Sequence, residues 1–335
     1  MFVTTSPVPE QPNRENPLID FRPFHNTDPP RLTKLWNFGH LGTGAALDFP
    51  NDALDIHVLA APYFERQGLI FAHDGKEAVG FVHAGFGANA AGTGICRETG
   101  VISAVVVRMD RRRQGIGREL VSRAETYLRG AGAKTIYAGE SGTRNPFYLG
   151  LYGGAECAGF LETDPNAAPF FSSLGYAPAE RYLVFRRNLS TSKEAFDPRV
   201  MGIKRSMKVG ISDRPLEANW WWLTRHGRFD SLTFTLLPNK GGPAAAQLTC
   251  WGMDFHGMTR GERTVGLTDV FVAEGERRKG YARALIGEAL RRMREELFSH
   301  AEVTIRDDNP AAIALFESLA FTQADRGVVY LKAAG

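Results

Sequence analysis

The stretch VVVRMDRRRQGIGRELVSRAETYL, from Val105 to Leu128, governs the reading of the whole chain because it has a second copy. That copy is VFVAEGERRKGYARALIGEALRRM, from Val270 to Met293, and the two align without a gap at an offset of 165 residues. In each, a short run of strand-forming residues (Val105 to Val107; Val270 to Val272) enters a charged turn, and a turn of small residues then opens a helix. β-Branched residues suit the half-buried, pleated surface of a strand, and apolar residues at three- and four-residue spacing mark one face of a helix. Ile116, Leu120, Val121, Ala124 and Leu128 supply that face in the first copy. Tyr281, Ala284, Leu285, Ala289, Met293 and Leu297 are expected to supply it in the second. Each helix is followed by another β-rich run, Thr135 to Ala138 and Val303 to Ile305. A repeated strand–turn–helix–strand unit predicts an α/β chain of two tandem domains, each a mixed sheet flanked by helices.

Upstream of the first copy, helix-like segments near Arg31 to Phe38 and Ala53 to Phe64 precede a hairpin-like GLIFAHDGKEAVGFVHAGF, with Asp74-Gly75 as its turn. Before the second copy come a Trp220-Trp221-Trp222 helix and strands over Leu232 to Leu237 and Ala245 to Trp251. The three tryptophans read as an anchor between the halves rather than a stacking platform, since Trp is far more often a core or interface residue. A polar stretch after Asn188 marks the division. The expected organisation is an arm over 1–19 without structure, a first domain over 20–190, a linker over 191–205 and a second domain over 206–335. The arm carries four prolines (Pro7, Pro9, Pro12, Pro17) and no apolar run of the kind a signal peptide needs.

Composition narrows the function classes. With 335 residues, 43% hydrophobic and 23% charged, the chain matches ordinary globular proteins and is too apolar for wholesale disorder. No run approaches the length of a membrane-spanning helix. A net charge of +3 is too small to point to nucleic acid. Cys96, Cys157 and Cys250 lack CxxC spacing, so neither a disulfide framework nor a metal site is suggested, and a reducing, cytoplasmic compartment is expected.

The chemistry sits in the two turns, Arg112-Arg113-Gln114-Gly115-Ile116-Gly117 and Arg277-Arg278-Lys279-Gly280-Tyr281-Ala282. Small residues let the backbone approach a ligand, and the following helix aims free N–H groups and its positive dipole end at it. Arginines before the turn add formal charge, so the assembly suits a pyrophosphate. It is neither a Walker loop nor the dinucleotide GxGxxG, because Leu120 stands three residues after Gly117.

These residues strongly resemble the GNAT acetyltransferase superfamily, whose signature is [Q/R]-x-x-G-x-[G/A]; Arg112-x-x-Gly115-x-Gly117 and Arg277-x-x-Gly280-x-Ala282 both fit it. The family's last block, N-x-x-A-x-x-L-Y-x-x-x-G-F, is echoed by Asn309, Ala312, Leu315, Phe316, Ala320 and Phe321, and by Asp164, Ala167, Phe171, Gly175 and Tyr176. The tandem layout is similar to that of mycothiol synthases. The resemblance implies acetyl-CoA, up to one per domain, with the loop on its pyrophosphate and the preceding strand along its pantetheine arm. The implied contacts are Val105, Val107, Arg112, Arg113, Gln114, Gly115, Ile116, Gly117 and Arg118. In the second domain they are Val270, Val272, Arg277, Arg278, Lys279, Gly280, Tyr281, Ala282, Arg283, Asn309 and Phe316. The implied activity is acetyl transfer to a primary amine, on a small molecule or a peptide, by direct attack in a ternary complex. No motif positions a cysteine as an acyl carrier.

Two departures matter. Phe171 and Phe316 stand where the family often has the tyrosine that reprotonates the CoA thiolate, and phenylalanine has no proton to give. A non-catalytic acyl-CoA binding or sensing protein is therefore the alternative. For a base, Glu140 at the end of the strand after the first helix is the first candidate, with Tyr137 and Glu98 in reserve; Asp269 is the candidate in the second domain. His83 reads as a satisfied sheet histidine. Catalysis is expected in the first domain, which has the longer upstream segment. The first domain also carries an aromatic, glycine-rich insertion from Asn145 to Cys157, whose Tyr148 and Tyr152 are candidate substrate contacts. That insertion either shapes substrate access or bridges to the other domain.

Overall fold

A computed structural model describes residues 19–50, 52–191 and 198–332. The first half runs β1 (Ile19–Pro23), α1 (Pro29–Asn37), β2 (Leu69–Asp74), β3 (Glu77–Ala88), β4 (Ile95–Val107), α2 (Ile116–Gly130), β5 (Thr135–Ala138), β6 (Phe160–Leu161), α3 (Ala167–Ser173) and β7 (Tyr176–Asn188). The second runs α4 (Pro198–Ser206), β8 (Met207–Ser212), α5 (Trp220–His226), β9 (Ser231–Pro238), β10 (Ala246–Gly252), α6 (Asp254–Arg260), β11 (Thr264–Val272), α7 (Tyr281–Glu295), β12 (His300–Arg306), α8 (Pro310–Glu317) and β13 (Thr322–Lys332). Of the arm expected over 1–19, residues 1–18 lie outside the described residues and Ile19 opens β1. Within the expected linker, 192–197 also lie outside them, and Pro198–Ser206 is helix.

The strands form one mixed sheet in the order β1-β2-β3-β4-β5-β13-β7-β12-β11-β10-β9-β8, with β6 paired to β13. The final strand of each half lies beside the other half's fifth strand. β7 pairs with β12 from Tyr182↔Arg306 to Asn188↔His300, and β13 pairs with β5 at Tyr330↔Ala138. β7 and β13 then pair with each other along most of their length. The backbone groups at the centre of the sheet are thus satisfied across the halves.

Side chains on each strand alternate between two helical layers. Ile70, Val82 and Ile102 pack beneath α2 and α3, with Leu120, Leu128 and Phe171. Their neighbours Leu69, Phe71, Phe81 and Ala104 face α1, with Leu32 and Trp36. Because both faces are covered, the strands read as nearly continuous apolar runs rather than alternating ones. The five residues expected on the face of α2 are all buried. In α7 the face is Ala284, Leu285, Ile286, Ala289, Leu290 and Met293. Leu297 does not belong to it: the helix stops at Glu295, and Leu297 has a φ of +65° and is 77% exposed. Where a helix from Ala53 to Phe64 was expected, the chain coils only from Ala53 to Leu59, mostly as a π-helical turn over Asp55–Leu59, and a separate 3-10 turn over Arg66–Gly68 leads into β2.

Tyr330, five residues before the last residue of the chain, is buried in the first-half core with its ring stacked on Phe171 at 5.4 Å. Tyr330→Ala is expected to cost about 3–5 kcal/mol, as for other large aromatic truncations. The loss should also loosen the first half around Phe171, although Tyr330 belongs to the second. Denaturant unfolding and calorimetry would check both effects.

Candidate functional site

β4 and β5 run parallel only from Thr99↔Thr135 to Ile102↔Ala138. Beyond that they part, and a bulge at Ser103 re-aims the end of β4. The backbone of Val105–Val107 on the β5 side is left without a strand. The gap opens on a cavity of ≈ 410 Å³ lined by Val105, Val106, Val107, Gly39, Leu41, Phe160, the loop before α2 and the side of α3.

That loop is shaped by two left-handed residues, Arg113 (φ +62°) and Gly115 (φ +84°). A Cβ at Gly115 would meet nothing within 4 Å, so the glycine serves the backbone conformation and keeps the cradle open. Gly115 is the N-cap of α2 and offers no side-chain acceptor, so the first N–H groups of the helix remain free. Arg113 and Arg118 line the cavity. Arg112 acts differently, since its guanidinium donates to the carbonyls of Val107 (2.9 Å) and Gly39 (2.6 Å), pinning the loop to the strand end. Gln114 turns back to the Asp110 carbonyl and Ile116 is a core residue, and neither lines the cavity.

The second loop has the same backbone, with Arg278 at φ +64° and Gly280 at +84°. Arg277 donates to the Val272 carbonyl (3.4 Å), as Arg112 does to Val107. The surroundings differ. Arg283, the counterpart of Arg118, is tied to the carbonyl and hydroxyl of Ser318, and Lys279 pairs with Glu276 (3.0 Å). Val270 is exposed; Val272, Tyr281 and Ala282 are half-buried, the first two packed on the core. Ile203 of α4 stands 3.5 Å from where a Cβ on Gly280 would lie. Asn309, expected at the cofactor, caps α8 by accepting from the Ala312 N–H at 3.1 Å. Phe171 and Phe316 are 1% and 2% exposed, and Phe316 packs edge-on to Phe321.

The expected base, Glu140, does not line the cavity. It is buried, and its two oxygens accept from the main-chain N–H groups of Phe147 (2.9 Å) and Tyr148 (3.0 Å). Burial raises its proton affinity, partly offset by nearby Arg225 and by these two amides. It holds the start of the insertion in place. Tyr137 lies under the Arg144 guanidinium at 4.2 Å, also away from the cavity. Tyr148, expected at the substrate, does not line the cavity either: it is buried, stacked on Trp36 at 4.9 Å and bonded through its hydroxyl to His83. Tyr152 accepts from the Leu161 N–H through its hydroxyl (3.0 Å). His83 sits between these aromatics, and burial pushes its pKa down to about 3.

The insertion is an excursion out of one strand. Lengths from the first loop to Asp164 and from the second to Asn309 differ by 20 residues, the length of Gly139–Ala158. After it the chain returns beside β13 as β6. Its far end crosses to the second half, where Ala155 N–H donates to Glu302 (3.0 Å) and Trp251 donates to the Ala155 carbonyl (3.2 Å). Of the tryptophans of α5, Trp221 meets the start of the insertion and Trp222 meets β11. Trp221 donates to Asn145 (3.0 Å), while Trp222 donates to Asp269 (2.9 Å). Asp269 occupies a bulge in β11 at φ +53°. Sequence reasoning missed the turn after α1 as a wall of the cavity, because only the long-range Arg112–Gly39 bond brings it there.

The model of the acetyltransferase (GNAT) family matches residues 43–176 and again 203–321. The chain belongs to this family, as a tandem member. Among solved structures it is similar over 95% of its length to a tandem GNAT protein from the clavulanic acid biosynthesis pathway (TM-score 0.65, 17% identity, 99% of that chain covered). It is similar over 94% to a GCN5-related N-acetyltransferase from Sphaerobacter thermophilus (TM-score 0.59, 15% identity, 95% covered). A third likeness, with TM-score 0.70 at 16% identity, covers 95% of this chain and 38% of a fungal multi-domain GH3 β-N-acetylglucosaminidase. That structure is described as containing a GCN5-related glucosamine N-acetyltransferase region. No curated protein sequence matches significantly. Among the described residues no helix is long and apolar enough to cross a membrane, and no cluster of side chains is arranged to hold a metal ion.

Two outcomes follow from this geometry. Gly115→Glu should leave the chain folded at a strain cost of about 1–2 kcal/mol and sharply weaken CoA binding in calorimetry. Glu140→Gln forfeits one of two buried acceptors and should cost about 1–3 kcal/mol of stability while leaving CoA affinity intact. A large rate loss without that stability loss would restore Glu140 as the base.

Proposed function

We propose that the chain transfers an acetyl group from acetyl-CoA to a primary amine, by direct attack of the amine on the thioester in a ternary complex. The observation that carries this reading is the first-half cavity, which joins three features suited to CoA. The free N–H groups at the start of α2 suit a pyrophosphate, with Arg113 and Arg118 adding charge. The edge of Val105–Val107 that no strand covers suits an amide-containing pantetheine arm. The apolar wall of Phe160, Phe170 and Phe171 suits its alkyl portions. The second loop, with the same backbone, offers a second CoA site, in which the tether of Arg283 withdraws one charge.

Direct attack is favoured over an acyl-enzyme because Cys157 and Cys250 are buried, and burial raises both thiols and keeps them protonated. All three cysteines are free, in keeping with work in a reducing cytoplasm. The amine acceptor is open as to class, small molecule or peptide. One observation favours a second reading, acyl-CoA sensing without transfer: both family tyrosine positions hold buried phenylalanine.

A panel of primary amines, with CoA thiol release followed against acetyl-CoA, tests the two readings. Release with at least one amine is expected, together with calorimetric binding of close to two CoA per chain. Tight binding and thermal stabilisation with no release across the panel would favour the sensor.

A further inference from the structure

In the second half β11 and β12 part after Leu267↔Val303, as β4 and β5 do in the first. There the opening does not stay empty of protein. The excursion of the first half enters it, and its Glu156 spans the gap. The Glu156 N–H and carbonyl both bond to the Thr304 hydroxyl on β12, each at 3.3 Å. Its carboxylate accepts from the Thr268 hydroxyl on β11, beside the Asp269 bulge. From Gly153 to Ala158 every residue but Glu156 is buried, and Glu156 is half-buried, with its carboxylate held at the Thr268 hydroxyl. The adjoining edge of β11 is open, with Val270 and Phe271 exposed, and it leads directly to the loop at Gly280.

We propose that Glu156, carried by the first half, is the general base of an acetyl-transfer site built on the splayed strands of the second half. This rests on the acetyl-transfer reading above. The ligand is indicated by the second-half loop and the family match over 203–321, and the carboxyl supplies the chemistry. A thioester laid along β11 from that loop brings its carbonyl to the place where the strands part. There the ammonium of the acceptor gives one proton to the Glu156 carboxylate. The freed nitrogen lone pair forms the new C–N bond at the carbonyl carbon, the C–S bond breaks with its electron pair on sulfur, and the second nitrogen proton passes to that thiolate. The products are the amide and CoA thiol, and Glu156 returns its proton to water.

The surroundings suit a base. Burial, with the neighbouring Asp269 carboxylate, pushes the Glu156 pKa up to about 7 against the opposing Thr268 hydrogen bond, close to the value proton abstraction needs at neutral pH. The titratable groups facing it are Asp269, itself raised by burial and held by Trp222, and Cys157, which burial keeps as a thiol. Glu302, one residue upstream through Ala155, is paired with Arg186 and Arg260.

The test uses the full chain and the best amine from the panel. E156Q should lower kcat/KM by about 10²–10⁴-fold, abolish the acid limb near pH 7 and leave CoA affinity unchanged. D269N retains the acceptor for Trp222 but removes the like charge, so the acid limb should move to lower pH. Without any substrate, a carboxyl whose pKa is raised on folding lends stability at low pH that is lost as pH rises through about 7. The stability difference between the unmodified chain and E156Q should therefore change between pH 6 and pH 8. E156Q at full rate with an unaltered pH profile overturns the assignment alone. Absence of transfer by the unmodified chain overturns the acetyl-transfer reading, and this proposal with it.

Discussion

The ladder between β7 and β13 is the contact on which the other parts depend. Each of these strands ends its own half in sequence, yet each is flanked on its outer side by the other half's fifth strand. Removing either would bare two lines of N–H and C=O groups in the middle of the sheet, each an edge open to wrong pairing. The halves therefore cannot be treated as beads on a string. The ladder also fixes the distance between the two splayed openings, and with it the reach needed by the excursion that leaves one and enters the other.

Two loops with matching backbone angles lie in different settings. In the first half α1 and its turn wall the cavity, and the Arg112 guanidinium ties that turn to the loop. In the second half α4 and the Ser318 tether crowd the loop, while Trp222 of α5 and Glu156 meet β11 where it parts from β12. The same local sequence thus provides the same anion cradle twice, and tertiary neighbours decide what each can do with it.

Much of this was legible in the residues. Five apolar positions predicted the buried face of α2 because helical periodicity is a local property, and Asp74-Gly75 predicted the β2–β3 hairpin because turn geometry selects its residues. The exchange of final strands was not legible. Backbone hydrogen bonds pair any two extended segments, and nothing in the side chains of Tyr182–Phe185 says which neighbour they will have. The same limit governs the carboxylates. Glu140 and Glu156 flank one insertion, and only its folded path decides that Glu140 is enclosed by Phe147 and Tyr148 while Glu156 reaches the other half.

The excursion leaves and rejoins the sheet at almost the same point, since the Gly159 N–H donates to the Glu140 carbonyl at 2.8 Å. It is therefore a closed loop in the polymer sense, and the entropy of closing such a loop grows only as the logarithm of its length. Doubling its 20 residues would add only about 0.6 kcal/mol. Length added between its buried anchors therefore costs little chain entropy, while the residues that bond to the second half, Ala155 and Glu156, stay fixed by their partners.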